Sequence, residues 1–175
     1  MKQVKWGIIG LGNIALKFAE GFKNIDNAKL VGISSKSSIK LKNFKEKFHI
    51  DENFCFNDYE SLIKCNDIDI IYIALPNSLH LEWILKCIQG EKKILIEKPA
   101  TLNFSQIEEV KNEISKKKIF FAEGFMYRYH PQIMKIIELI NNDTIGKPLS
   151  VESFFGVNLL TKKNIFGFKK KKKNK

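Results

Sequence analysis

The sequence predicts an α/β fold in which a parallel sheet carries helices on both faces. Short apolar runs rich in β-branched residues alternate with segments whose apolar residues have helical spacing. The connections between successive runs are long enough to hold a helix, as parallel strands require. With 44% hydrophobic residues among 175, the chain can bury the core of one full domain and has room for part of a second.

The first strand and helix meet at a glycine turn, Gly10-x-Gly12-x-x-Ala15, which follows the apolar run 4–9. Gly10 permits a tight turn, Gly12 lets a ligand approach the backbone, and Ala15 allows close helix packing. The amides at the start of such a helix bind the pyrophosphate of a dinucleotide. Any tight strand-to-helix connection can use this turn, so the flanking strand and helix (13–22) supply the supporting context. The predicted cofactor contacts are Gly10, Gly12, Asn13 and Ile14.

The residues after the second predicted strand, 29–33, bear on the choice of cofactor. An NAD site places Asp or Glu about 20 residues beyond the glycines to bind the ribose 2′-hydroxyl. Here the sequence is Ser-Ser-Lys-Ser, and the nearest acids, Asp26 and Glu46, are badly placed. Ser35 and Lys36 could hold a 2′-phosphate, which favours NADP, with NAD as the other possibility. The competing interpretation is a solvated loop lysine followed by a serine that caps the next helix.

The remaining elements continue the alternation. Strands are predicted at 54–56, 69–75, 93–96 and 119–122, and helices at 38–48, 58–65, 79–89 and 104–117. Capping boxes are predicted to begin at Asn57 and Asn103. The helix over 38–48 is expected to bury four apolar residues, namely Ile39, Leu41, Phe44 and Phe48.

Two polar segments follow predicted strands at the carboxyl edge of the sheet, where ligands bind in such folds. In the first segment, Leu75, Asn77 and His80 are candidates to line the cofactor. A helix cap is the alternative for Asn77, and a surface histidine is the alternative for His80.

The second polar segment is Glu97-Lys98-Pro99. Pro99 ends the strand because it cannot donate a ladder hydrogen bond. A lysine beside a nicotinamide would be partly desolvated, so Lys98 is a candidate to exchange a proton with a hydroxyl or carbonyl. The alternative is one more surface lysine among 29.

The charge distribution argues against a nucleic-acid partner. The net charge is +11, but residues 162–175 contain eight lysines and no acid, which leaves +3 for the rest. Arg128 is the single arginine, whereas nucleic-acid readers favour arginine. The three cysteines lack metal-ligand spacing, so neither a zinc site nor a disulfide framework is indicated. No stretch predicts a membrane span or a signal peptide, and the expected location is the cytoplasm.

Three segments together resemble the Gfo/Idh/MocA family of oxidoreductases: the glycine turn 10–15, Glu97-Lys98-Pro99, and 123–131, which reads EGFMYRYHP. The last segment is most similar to the branch containing dihydrodiol dehydrogenase and D-xylose dehydrogenase. The resemblance covers about residues 2–160. It implies a Rossmann-type dinucleotide-binding domain at 1–122, the start of an α+β substrate domain at 123–161, and a basic tail at 162–175.

The resemblance also implies roles for individual residues. Lys98 would be the catalytic lysine near the nicotinamide, and Glu97 would line the cofactor. Tyr127, Arg128 and His130 would lie near the domain junction, with Arg128 either a substrate or phosphate anchor or an ion-pair partner. The implied substrate is a sugar, polyol or cyclic diol, and relatives often form homo-oligomers through the second domain. A helix over 131–140 and a strand over 149–157 would begin that domain.

The chain departs from the family in length. Relatives continue through an open sheet, whereas this sequence ends in a lysine run typical of a truncated gene or a lost reading frame. We therefore expect impaired activity and an apolar edge near 151–155. The alternative functions are a non-catalytic dinucleotide-binding remnant or module and, less favoured, a nucleic-acid binder acting through its tail.

Overall fold

The computed structural model describes residues 3–156, which form six strands and six α-helices. The strands are β1 (Val4–Ile9), β2 (Ala28–Ser34), β3 (Cys55–Phe56), β4 (Ile70–Ile73), β5 (Lys93–Ile96) and β6 (Phe121–Glu123). The helices are α1 (Asn13–Gly21), α2 (Ser38–Phe48), α3 (Tyr59–Lys64), α4 (His80–Gln89), α5 (Phe104–Lys117) and α6 (Pro131–Asn141). Short 3₁₀ turns occur at Phe22–Asn24, Glu52–Phe54, Asn77–Leu79 and Met126–Tyr129.

All six strands form one parallel sheet in the order β3-β2-β1-β4-β5-β6. The first strand is central, because β2 lies on one side of it and β4 on the other. The strand order therefore reverses between β1 and β4, the position at which doubly wound sheets bind ligands. The predicted parallel sheet is confirmed.

The core has two layers, one on each face of the sheet. Successive residues of β1 belong to different layers because side chains alternate along a strand. Ile8 packs with apolar residues of α1 and α2, whereas Ile9 packs with those of α3, α4 and α5. Both isoleucines have no exposed surface. Helices therefore cover both faces, as the sequence predicts.

The prediction that four apolar residues of α2 are buried is wrong for one of them, Ile39. Leu41 and Phe44 are buried, and Phe48 is half-buried, but Ile39 is 73% exposed. A helix turns about 100° per residue, so Ile39 lies about 200° around the axis from Leu41, away from the sheet.

The N-terminus of α3 also differs from the prediction. Asp58, not Asn57, is the N-cap, and its carboxylate accepts hydrogen bonds from the backbone amide and the hydroxyl of Ser61, both at 2.7 Å. Glu60 does not complete a capping box but pairs with Lys86 of α4 at 2.6 Å. Asn and Asp are comparable caps, so the local sequence does not distinguish them.

Replacing Asp58 by alanine is expected to lower the free energy of unfolding by about 1 kcal/mol at neutral pH. Hydrogen bonds from Ser61 hold the pKa of Asp58 below its usual value. The contribution is therefore present above the unfolded-state pKa and is lost as pH falls through the folded-state value. Urea titrations at pH 7 and at about pH 3 measure the difference in the free energy of unfolding between wild type and Asp58→Ala. This difference should be smaller at the lower pH. Asp58→Asn, which keeps an acceptor, is the control, and a difference independent of pH would contradict this account.

The chain divides into two compact units between Tyr129 and His130. In the second unit, His130 caps α6 by accepting a hydrogen bond from the Gln132 amide at 3.2 Å. The predicted helix is confirmed, but residues 149–156 contain no strand, and Val157 and the tail 162–175 lie outside the described residues. A strand needs a partner for its backbone hydrogen bonds, and none pairs with this segment within residues 3–156. Phe154 and Phe155 are each 95% exposed.

No helix within residues 3–156 is both long and apolar enough to cross a membrane.

Candidate functional site

The turn after β1 accepts only glycine at its first position. Gly10 has a φ of +87°, and a Cβ there would lie 2.5 Å from the carbonyl oxygen of Ala74. Its amide donates to Ser34 O at 3.0 Å, and the Ala74 amide donates to Ile9 O at 2.8 Å. Gly10 therefore lets the ends of three strands approach each other at the carboxyl edge of the sheet.

The N-terminus of α1 has the features of an anion site. Gly12 is its N-cap, and a Cβ there would have no atom of the described residues within 4 Å. No described side chain caps the helix, and its first turn contains no acid. The first-turn amides, including those of Asn13 and Ile14, are therefore available to a pyrophosphate. The open space at Gly12 fits such a group.

The N-terminus of α4 shares the lack of a described capping side chain, but its N-cap is Leu79 and its first turn contains an acid, Glu82. Neither this helix nor the 3₁₀ turn before it receives a hydrogen bond from a capping side chain within the described chain. The other four helices are each capped by a side chain, from Ser37, Asp58, Asn103 and His130. The two uncapped helices follow β1 and β4, so both N-termini lie where the strand order reverses. The helix-cap alternative for Asn77, which is exposed, is not observed.

The structure places Ser35 and Lys36 differently at the end of β2. Ser35 is 5% exposed, and its hydroxyl accepts a hydrogen bond from the Ser37 amide at 3.1 Å. Lys36 is exposed, with Nζ 5.8 Å from the centre of the Tyr59 ring. Ser37 caps α2, as the competing interpretation expects. Capping by Ser37 does not involve the Lys36 ammonium. The fold therefore accommodates Lys36 either as a contact for a 2′-phosphate or as a solvated loop lysine.

Glu97 and Lys98 lie at the end of β5, next to the end of β4. The Tyr72 hydroxyl donates to Glu97 Oε1 at 2.5 Å. Burial and the Glu97 carboxylate raise the pKa of Tyr72, so the phenol stays protonated and remains the donor. Glu97 is thereby held in place, whereas Lys98 is exposed and is joined to Pro99 by a cis peptide bond.

His80 is fully buried, in disagreement with the surface alternative. Its Nδ1 lies 2.8 Å from the carbonyl oxygen of Pro99, and its Nε2 lies 2.9 Å from that of Leu75. The imidazole therefore has no exposed atom with which to contact a cofactor directly, contrary to the expected role. Its bonds connect the segments after β4 and β5 instead. Leu75 itself is 9% exposed.

Two residues near the site were not predicted from the sequence. Tyr72 lies within an apolar strand, where the sequence gives no sign of a polar role. Its hydrogen bond to Glu97 is visible only in the structure. Glu123 ends β6, and its Oε1 accepts a hydrogen bond from the Ala100 amide at 2.8 Å. A carboxylate at the carboxyl end of a strand was the available signal for Glu123, as it was for Glu97.

The segment after β6 is exposed. Tyr127 and Arg128 belong to the 3₁₀ turn that ends the first unit, and Tyr127 is 58% exposed, with its ring 5.9 Å from that of Phe125. His130 belongs to the second unit, where it caps α6. The structure thus brings the glycine turn, the end of β4 and the end of β5 to one edge.

The residues that form this edge lie within a segment whose sequence matches a known protein family. Residues 4–125 match the family described as an oxidoreductase family with an NAD-binding Rossmann fold. The chain belongs to the Gfo/Idh/MocA oxidoreductase family. The match extends from β1 to just beyond β6, and it therefore contains the glycine turn, Glu97 and Lys98.

Named Gfo/Idh/MocA relatives include dehydrogenases of small hydroxylated molecules. The chain is 31% identical over 157 residues to trans-1,2-dihydrobenzene-1,2-diol dehydrogenase of Xenopus tropicalis, covering 89% of this chain and 47% of that protein. It is 32% identical over 142 residues to myo-inositol 2-dehydrogenase of Thermotoga maritima, covering 81% and 42%. The chain thus spans about half the length of these relatives.

Solved structures show the same relationship. Scyllo-inositol dehydrogenase of Lactobacillus casei, with bound NAD(H) and scyllo-inositol, superimposes with a TM-score of 0.76 at 28% identity, over 83% of this chain and 43% of that one. A 3-ketoreductase of Actinomadura kijaniata in complex with TDP-benzene and NADP gives 0.73 at 26% identity, over 83% and 46%. The predicted Rossmann-type fold and family are confirmed, and these two neighbours carry different nicotinamide cofactors.

Proposed function

We propose that this chain supplies the dinucleotide-binding part of an NADP-dependent oxidoreductase that acts on a hydroxyl or carbonyl of a sugar, polyol or cyclic diol. The observation that carries the proposal is the pair of uncapped helix N-termini, α1 and α4, on either side of the point where the strand order reverses. In this proposal the amides after Gly12 bind the pyrophosphate. Leu75, Asn77 and Glu97 line the rest of the cofactor.

Lys98 is proposed to exchange a proton with the reacting oxygen of the substrate. A nicotinamide bound by these residues would supply or take up the hydride, a transfer that no side chain of this chain can carry out. The ammonium of Lys98 donates a proton to a carbonyl oxygen during reduction, and the neutral amine takes one from a hydroxyl during oxidation. Tyr127 and Arg128 are proposed to lie on the substrate side, with Arg128 as an anchor for substrate oxygens.

Selectivity for NADP is proposed to depend on Lys36, whose exposed ammonium lies beyond the end of β2. We expect Lys36→Ala to weaken NADPH binding about tenfold, because it removes a charge-assisted contact to the 2′-phosphate. NADH binding should change less than about twofold, since NADH lacks that phosphate. Lys42→Ala, at an exposed lysine of α2, the helix that follows Lys36, is the control. Equal losses for both cofactors would contradict the assignment.

The test of the proposed function is a fluorescence titration of the purified chain with NADPH and with NADH. Saturable binding that prefers NADPH supports an NADP site formed by residues of this chain. Binding that prefers NADH retains the dinucleotide site but overturns the role of Lys36. No binding of either cofactor overturns the proposal.

A dinucleotide-binding module without turnover is the second candidate. It is favoured by the exposure of Lys98, because a catalytic lysine normally acts where water is excluded. Cofactor binding without turnover of any compound in a panel of sugars, inositols and diols distinguishes this candidate from the enzyme.

A further inference from the structure

One peptide group beside Lys98 is held at both of its polar atoms. This group joins Pro99 to Ala100, so the Pro99 carbonyl and the Ala100 amide belong to the same plane. His80 Nδ1 lies 2.8 Å from the Pro99 oxygen, and the Ala100 amide donates to Glu123 Oε1 at 2.8 Å. The two side chains come from α4 and from the end of β6. The peptide plane is therefore fixed from two sides.

When His80 Nδ1 carries the ring proton, the two hydrogen bonds reinforce each other. A donor at the carbonyl oxygen and an acceptor at the amide hydrogen polarise the peptide group in the same direction, which strengthens both bonds. Ala100 is 3% exposed. If either side chain is removed, water has little access to the peptide group, and the unpaired polar atom costs free energy.

His80 extends this arrangement to the neighbouring strand. Its Nε2 lies 2.9 Å from the Leu75 oxygen, at the end of β4. A doubly protonated ring donates to both the Leu75 and Pro99 carbonyls, and a neutral ring donates to one. One fully buried imidazole thus connects two of the segments that line the proposed cofactor site.

We propose that His80 and Glu123 form a peptide clamp, defined as these two side chains and the Pro99–Ala100 peptide group, which positions Lys98. The proposal rests on the proposed function, because it gives Lys98 its direction toward the nicotinamide. Lys98 is exposed, and no ion pair holds its ammonium within the described residues. Its placement therefore depends on the backbone that the clamp fixes. His80 and Glu123 are positioning residues, not catalytic ones.

The test uses the full chain with variants that remove or keep each bond. His80→Leu removes both contacts of the imidazole, and Glu123→Leu removes the acceptor of the Ala100 amide. Glu123→Gln keeps an amide oxygen in the same place and should restore the bond. Cys87→Ala, at a fully buried position on α4, is the control for a general loss of core packing. His80→Gln replaces His80→Leu if the leucine variant does not fold.

Two readouts are measured on each variant: hydrogen exchange of the Ala100 amide in the full chain, and kcat with the Kd for NADPH in a chimera in which residues 1–125 of this chain replace the matching segment of myo-inositol 2-dehydrogenase of Thermotoga maritima. We expect the leucine variants to exchange this amide about tenfold faster. They should lose about tenfold in kcat while the Kd for NADPH stays within about threefold, because a displaced Lys98 affects proton transfer and not cofactor binding. Glu123→Gln and Cys87→Ala should stay within about twofold of wild type.

Exchange at Ala100 that rises equally in Cys87→Ala and the leucine variants overturns the clamp, and so does failure of Glu123→Gln to restore wild-type exchange. If wild type binds neither NADPH nor NADH, the proposed function fails, and with it the positioning role. The exchange data then still report separately whether the peptide group is held by both side chains.

Discussion

Gly10→Ala is expected to lower the free energy of unfolding by about 3 kcal/mol or more, whereas Gly12→Ala should cost less than about 1 kcal/mol. The reason is steric. The alanine Cβ at Gly10 combines a left-handed φ of +87° with a 2.5 Å approach to a backbone carbonyl that cannot move without disturbing β4. The Cβ at Gly12 meets no described atom within 4 Å.

The same pair of variants separates folding from binding. Gly12→Ala places a methyl group in the open space proposed for the pyrophosphate, so we expect a loss of NADPH affinity of at least about tenfold in a protein that unfolds almost normally. Urea titration and cofactor fluorescence on the same samples measure both effects. Normal NADPH affinity in Gly12→Ala would show that this turn has only a structural role.

Lys98→Ala is expected to reduce turnover by about 10²–10⁴-fold while leaving NADPH affinity within about threefold of the parent. The measurement requires an active parent enzyme. A suitable one is a chimera in which residues 1–125 of this chain replace the matching segment of myo-inositol 2-dehydrogenase of Thermotoga maritima. The loss should appear in kcat, because proton transfer contributes to the transition state and not to cofactor binding.

Lys93→Ala is the matched control for that experiment. Lys93 is an exposed lysine at the amino end of β5, the strand that precedes Lys98, and it therefore lies away from the proposed site. It should leave kcat unchanged. Comparable losses in the two variants would indicate a general effect on β5, and normal turnover in Lys98→Ala would remove the lysine from the mechanism.

The sheet and its order of elements could be predicted because the signals are local. A buried parallel strand is a continuous apolar run, and Gly10 marks the turn that follows one. The boundaries shifted by a few residues, as at β6, which runs from Phe121 to Glu123 rather than over 119–122. Helix periodicity also predicted the buried positions Leu41 and Phe44.

Long-range polar contacts could not be predicted in the same way. His80 is 19 residues from Pro99 in sequence, and Glu123 is 23 residues from Ala100. Only the register of three neighbouring strands brings these groups together. The missing strand at 149–156 reflects the same principle, because pairing depends on a partner rather than on the apolar residues of the segment itself.

The central position of β1 has a consequence for synthesis on the ribosome. The Lys5 amide reaches its acceptor, the Asp69 carboxylate, across 64 residues, and Trp6 pairs with Ile70. At a translation rate of about 5–20 residues per second, one edge of this apolar strand stays unpaired for about 3–13 s until β4 has been synthesised. Ile9, the residue before the glycine turn, is translated early but receives its hydrogen bond from the Ala74 amide only then. Nascent chains stalled before β4 should therefore expose an unpaired strand edge and should not retain a dinucleotide.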